Sequence, residues 1–232
     1  MENLEKLSDF EHPEIIKTAH GLVKGENTPI EKVKRIFHFV RDEIQFGFPP
    51  VWDAVKASET LKYKIGYCTT KATLFHALCQ AAEIPSRIHT GWIKVEIMRG
   101  ILPSLSFKFL PEVGTHSWVD VELDGFWQPI DSYINDKTFY EKALKKLQAT
   151  NRLNGFSISL EKGPSTCEIN FGEKSFVHMG AVVVDHGAWE DLSDYLSSEK
   201  YVPLDAIPKL AYSLILRHIA NKNICQIRMY KR

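Results

Sequence analysis

A chain of 232 residues, 44% of them apolar, is long enough to bury one substantial core. Its 29 basic and 29 acidic residues cancel, which removes the field that draws proteins to nucleic acid or to an anionic membrane, so neither partner is expected. No run approaches the ~18 apolar residues of a membrane span, and Met1 to Phe10 carries no apolar signal-like stretch, so the expectation is a cytoplasmic protein.

Thr28, Pro29 and Glu31 form a capping-box start, and Ile30, Val33, Ile36, Phe37, Val40 and Ile44 follow at helical spacing. Gly47, Pro49 and Pro50 break that helix, and Ser58 is placed to cap a short helical turn. Cys68 to Ala82 is rich in helix formers, with Ala72, Phe75, Leu78, Cys79 and Ala82 on one stripe; Ile84 and Pro85 end it. Arg87 to Met98 is β-branched and aromatic and reads as strand, and Ser104 to Leu110 reads as a continuation of the sheet. His116 to Leu123, the Asp124-Gly125 turn and Phe126 to Asp131 spell a β-hairpin. Helices first and an antiparallel sheet after them is an α+β layout. Beyond it, a helix is expected over Lys137 to Ala149, a strand over Phe176 to Val184 and a helix around Leu204 to Asn221. The expected division is a catalytic core over residues 1–150, with its motifs in 28–133, and an extension over 151–232 packed on it.

A reactive cysteine must be a thiolate, and a helix start, with its unpaired N–H groups, favours negative charge. Cys68 stands there, behind Gly66 and Tyr67, which allow a tight turn and a close approach of substrate to the backbone. The Cys68 N–H is one candidate oxyanion donor and Gln45 a possible second. Closing the hairpin at Asp124-Gly125 pairs Leu123 with Phe126 and, counting outward, Trp118 with Asp131 and His116 with Tyr133. His116 and Asp131 then become diagonal neighbours on one face, roughly 7 to 8 Å apart in backbone, within reach of a hydrogen bond that would orient the imidazole toward the thiol. Pro129 lies inside the second strand, so that strand must be at an edge or bulged. The other face of the first strand, with Ser117, Val119, Val121 and Leu123, is the core side, and Trp118 and Trp127 are candidates to wall a substrate cleft.

Three stretches together, G-Y-C opening a helix, A-E-I-P-S-R closing it, and T-H-S-W-V-D-V-E-L-D-G-F-W-Q-P-I-D, resemble the core pattern of the transglutaminase-like superfamily over about Thr28 to Tyr133. That resemblance implies a papain-like fold with a Cys-His-Asp site, the roles falling on Cys68, His116 and Asp131. The stretch from Ile93 to Thr115 is longer than a minimal member needs, and Asp120 stands where Glu is common. The insertion could reshape the substrate entrance, so substrate class does not carry over.

Each residue also has a plainer reading. A lone cysteine at a helix start is most often a small core residue, and Cys79, Cys167 and Cys225 are assigned to packing. His76 competes with His116 for the catalytic role but lacks a carboxylate partner, and Arg87 reads as one half of an ion pair before it reads as a substrate anchor. Tryptophans fill cores more often than they wall clefts. Cys68, His116 and Asp131 lack a fourth partner and any close-spaced ligand pair for a metal, so neither metal nor cofactor is expected. The resulting expectation is a thiol enzyme working through an acyl-enzyme on a peptide or protein substrate. Hydrolysis by a cysteine peptidase or amidase is favoured over amine transfer by a transglutaminase or another acyl transfer, and a non-catalytic peptide-binding module on the same fold is the rival from another class.

Overall fold

The structure, a computed structural model, describes residues 5–52, 54–171, 176–201 and 215–230. Helix α1 (Pro13–Val23) opens with proline at its first turn, and α2 (Pro29–His38) carries the expected capping box: the Glu31 N–H donates to Thr28 Oγ1, and the Glu31 carboxylate accepts from the Thr28 N–H. A π-helical turn, Phe39–Glu43, continues α2. The carbonyls of Arg41 and Ile44 at this helix end accept from the ammonium of Lys71, which reaches the Ile134 carbonyl as well. Lys71 is fully buried, and burial pushes its pKa down to about 7.

Two short parallel strands, β1 (Gln45–Phe46) and β2 (Ile65–Gly66), flank α3 (Ala57–Tyr63). The cap of α3 lies at Lys56, whose N–H donates to Glu59; Ser58 is inside the first turn and binds Asp9 instead. Helix α4 (Cys68–Ala81) is buried from Cys68 to Cys79 on every side, beyond the single stripe the spacing predicted, as a helix enclosed by other layers must be.

A four-stranded antiparallel sheet follows, β3 (Ser86–Lys94), β4 (Val113–Leu123), β5 (Phe126–Ile130) and β8 (Val182–Trp189), in the order β5-β4-β3-β8. The β4–β5 register is the one obtained by counting from the turn, Leu123 to Phe126 through Val119 to Ile130, without a bulge. Asp124 and Gly125 both have positive φ, 51° and 80°, as a type I′ turn requires. Pro129 opposes Asp120, three pairs out from the closing pair Leu123–Phe126. In a two-residue hairpin that places it at a non-hydrogen-bonded position on an edge strand, where its missing N–H costs nothing.

Three expectations need correction. Ser104–Lys108 is a 3-10 helix, and Val95–Met98 is another, so the sheet does not continue into this insertion. The late strand begins at Val182, with Met179–Ala181 a 3-10 turn before it. Helix α5 (Lys137–Gln148) is as read, and β6 (Asn154–Gly155) and β7 (Ile158–Ser159) form a small ladder after it. The last helix, α7 (Arg217–Arg228), runs beyond Asn221, whereas 204–214 of the expected helix lie outside the described residues. A short α6 (Leu192–Leu196) precedes it.

The main core joins Val119, Val121 and Leu123 of β4 to the apolar residues of α1, α2 and α4, and Ile158, Val177, Ala220 and Ile224 from beyond residue 150 belong to the same cluster.

Candidate active site

Cys68 is the first residue of α4, 9% exposed, with its sulfur 3.9 Å from the Thr115 carbonyl oxygen. The helix start is built by Thr70, whose hydroxyl accepts from the Tyr67 N–H at 3.0 Å. A Cβ on Gly66 would come within 2.6 Å of that hydroxyl, so the glycine is needed to leave room for the cap. Sequence reasoning placed a glycine here for substrate approach; the contact is internal.

His116 and Asp131 are both fully buried. The nearest approach, His116 Nε2 to Asp131 Oδ2, is 3.7 Å, an ion-pair distance longer than a hydrogen bond. Neither ring nitrogen of His116 has a hydrogen-bond partner among the described residues. The orienting hydrogen bond expected from the hairpin is thus not formed in this structure; the two groups stand at ion-pair distance instead.

Asp131 is held from elsewhere. Its Oδ1 accepts from the Val177 N–H at 2.7 Å, and its Oδ2 from the N–H groups of His178 and Met179 at 2.8 and 3.0 Å. Three amide donors thus satisfy both oxygens of a carboxyl group that is buried from water. Sequence reasoning missed this grip, because a backbone N–H has no residue-type signature.

His178 itself was also missed. Its ring lies 5.2 Å from that of His116, and its Nε2 meets both the Ser157 hydroxyl (2.6 Å) and the Ser157 carbonyl (2.9 Å). A carbonyl only accepts, so Nε2 carries the proton; burial first, and then the neighbouring His116, push the pKa of His178 down to about 3, which keeps the ring neutral. Ser157 and Phe156 both adopt left-handed backbone, φ 59° and 52°, and Ser157 is fixed by Asn135 through two hydrogen bonds. Consecutive non-glycine residues in this region store strain beside the site.

The remaining candidates separate. Tyr67 lines the cavity next to Cys68 and stacks on Phe48, with ring centroids 5.3 Å apart. Gln45 is exposed on β1 and does not reach the cavity; the inward residue of that strand is Phe46. Trp118 is 2% exposed and lies between the rings of His116 and His89, at 5.6 and 4.4 Å, so it backs the imidazole and walls no cleft. Trp127 is on the exposed edge under the Arg87 guanidinium, away from the cavity. Arg87 pairs with Asp120, and His76 is occupied by Ser86 and the Glu190 carbonyl. None of the described cysteines is in a disulfide; burial pushes the thiol of Cys79 up, and that of Cys167 up to about 11, while Cys225 is exposed and not packed as expected. Among the described residues no group of His, Cys, Asp or Glu could hold a metal, and no helix is long and apolar enough to cross a membrane.

A cavity of about 100 Å³ has both Cys68 and His116 in its lining. Its wall is largely apolar and draws on Phe46 and Phe48, on the insertion after β3, and on α7. Asn221 of α7 donates to the Phe48 carbonyl and accepts from its N–H, and Arg228 binds both Asp136 and the Phe46 carbonyl, so the last helix fixes the wall formed by β1 and the residues after it.

Comparison with solved structures finds a candidate cysteine protease from Cytophaga hutchinsonii at 20% identity (TM-score 0.43; 55% of this chain, 38% of that one). It also finds a candidate protease from Parabacteroides distasonis at 19% identity (TM-score 0.40; 54% of this chain, 24% of that one). The chain thus spans well under half the length of either. Comparison with curated proteins gives no match. The transglutaminase-like superfamily matches residues 16–132, half of the chain and a span that contains Cys68, His116 and Asp131. With that match added to its α+β architecture, this chain belongs to the transglutaminase-like superfamily.

Proposed function

We propose that the protein is a thiol enzyme in which Cys68 attacks the acyl carbon of an amide, His116 takes the thiol proton and returns it to the leaving amine, and Asp131 orients the imidazole. The observation that carries this reading is the meeting of three elements: a cysteine opening a buried helix, a histidine lining the same cavity, and a carboxylate 3.7 Å from that histidine, prepositioned by three amides. Because Nε2 faces Asp131, Nδ1 is the nitrogen left for the thiol. Water as second nucleophile makes the enzyme a peptidase or amidase, and this is favoured because water is the default acceptor and no carboxylate lines the cavity, among the described residues, to hold an amine. Transfer to an amine, or from another acyl carrier, uses the same first half-reaction.

The test is mass spectrometry of acyl-enzymes formed with a peptide and amine library, run beside Cys68→Ala. The expected adduct sits on Cys68, needs His116, and is released by water. In parallel, iodoacetamide at mildly acidic pH should label Cys68 well ahead of the exposed Cys225 and the buried Cys79 and Cys167. Labelling of Cys68 no faster than Cys225 would falsify the activated-thiolate mechanism.

A further inference from the structure

We infer that the cavity beside Cys68 is an acyl pocket for an uncharged, short aliphatic chain attached to the carbonyl that the thiol attacks. This deepens the function proposed above and rests on it.

The pocket's lining is mostly hydrocarbon. Thr115, whose carbonyl oxygen lies 3.9 Å from the Cys68 sulfur, joins His116, Ser157 and His178 as its polar members. Ile93 of β3, with Val95, Ile97, Met98, Leu102 and Leu110 of the insertion, lines it together with Phe46 and Phe48. Among the described lining residues the only side chain with a permanent charge is Arg217, on α7. A substrate carbonyl at the sulfur therefore extends its next atoms among mostly apolar side chains, where a primary amide would lose its hydration for few partners and a carboxylate would have Arg217 as its one cationic partner among the described lining residues. At about 100 Å³ the space is smaller than the ~150 Å³ apolar cavities that take a benzene ring, which sets a short limit on any chain it encloses. The wall is stiff rather than adaptable at its base: Ile97 and Phe46 are at most 2% exposed, and the Phe46 backbone is clamped from both sides by Asp136 and Arg228.

The experiment uses p-nitrophenyl esters of acetate, butyrate, hexanoate, dodecanoate and glutarate, and follows acylation of Cys68 in the whole protein by intact mass. In each case the Sγ–acyl carbon bond forms, the bond to the phenolate oxygen breaks, the thiol proton passes to His116, and nitrophenolate leaves with the electron pair. Rates are divided by those of free glutathione to remove the intrinsic reactivity of each ester. Full burial gives roughly fourfold per methylene, so hexanoyl should exceed acetyl by at least about tenfold, with no further gain at dodecanoyl. Glutaryl should be slower than hexanoyl. Met98→Trp or Leu102→Trp should bring the hexanoyl-to-acetyl ratio toward one, a ratio internal to each variant.

A flat length series in the wild-type protein would overturn the pocket, since something other than an acyl chain then fills it, while the thiol mechanism would stand. A glutaryl ester faster than hexanoyl would also overturn it and point to Arg217 as an anion anchor. No acylation and no iodoacetamide labelling of Cys68 would overturn both this inference and the proposed function.

Discussion

Residues 16–132 and the residues beyond 150 serve the site with different chemistry. The first region contributes the proposed nucleophile, base and orienting carboxylate, Cys68, His116 and Asp131, on a helix start and a hairpin. The later region contributes backbone amides at 177–179, a neutral His178 and the helix that fixes the cavity wall. Neither builds the cavity and its surroundings alone. A family resemblance that stops near the end of the hairpin covers the proposed reagents and leaves out the amides that hold Asp131.

Four measurements test that division. The largest effect should come where the two regions meet: Asp131→Asn keeps the shape but removes the charge, and should lower the Cys68 acylation rate by about 10³ to 10⁴, as loss of the orienting carboxylate does in triads. A loss under tenfold would mean that Asp131 is structural. Lys71→Met lies in the first region, with one of its three acceptors, the Ile134 carbonyl, just past that region's end. It strips the donor from three buried carbonyls, partly offset by removing a buried amine, and should cost about 3 kcal/mol in urea denaturation.

Next comes acid sensitivity, shared between the regions. Burial pushes His76 down to about 4 and His178 to about 3, against about 6.5 for an unfolded histidine. Below pH 6.5 the unfolded chain binds two protons that the folded chain refuses, so stability is full above pH 6.5. It should fall as pH drops toward 4, by up to about 1.4 kcal/mol per unit for each ring. His76→Asn and His178→Asn should each remove about half of that slope; an unchanged slope in either would assign the titration elsewhere. The smallest effect is expected at Pro129→Thr, within about 0.5 kcal/mol, because the new N–H would point off the edge of the sheet. A loss above about 2 kcal/mol would show that the ring itself is packed.

Much of the first region was legible because its signals are local. A two-residue turn fixes its own register, so Asp124-Gly125 determined which residues oppose one another out to Ile130, and the capping box at Thr28 did the same for α2. Gln45 failed as an oxyanion donor for an equally local reason: strand parity turns it outward and Phe46 inward. The segment Ser104 to Leu110 has strand composition, but Ser104–Lys108 forms a 3-10 turn that buries none of its residues; the hydroxyl and N–H of Ser106 both close on the Pro103 carbonyl, a local bond that outweighs propensity. Lys71 looked like any polar position on a helix, and only the end of α2, far away in sequence, makes its burial possible. Trp118 was open to two readings and took the commoner one, stacked behind the histidine.

The grip on Asp131 has an evolutionary consequence. Its donors are peptide groups, so the grip itself asks of 177, 178 and 179 only that none be proline; the side chains there answer to the core and to Ser157 instead. What the grip fixes is spacing. An insertion or deletion between Val177 and the start of β8 at Val182 would slide the amides past the carboxylate, so functional relatives should be recognisable by that spacing where their letters differ.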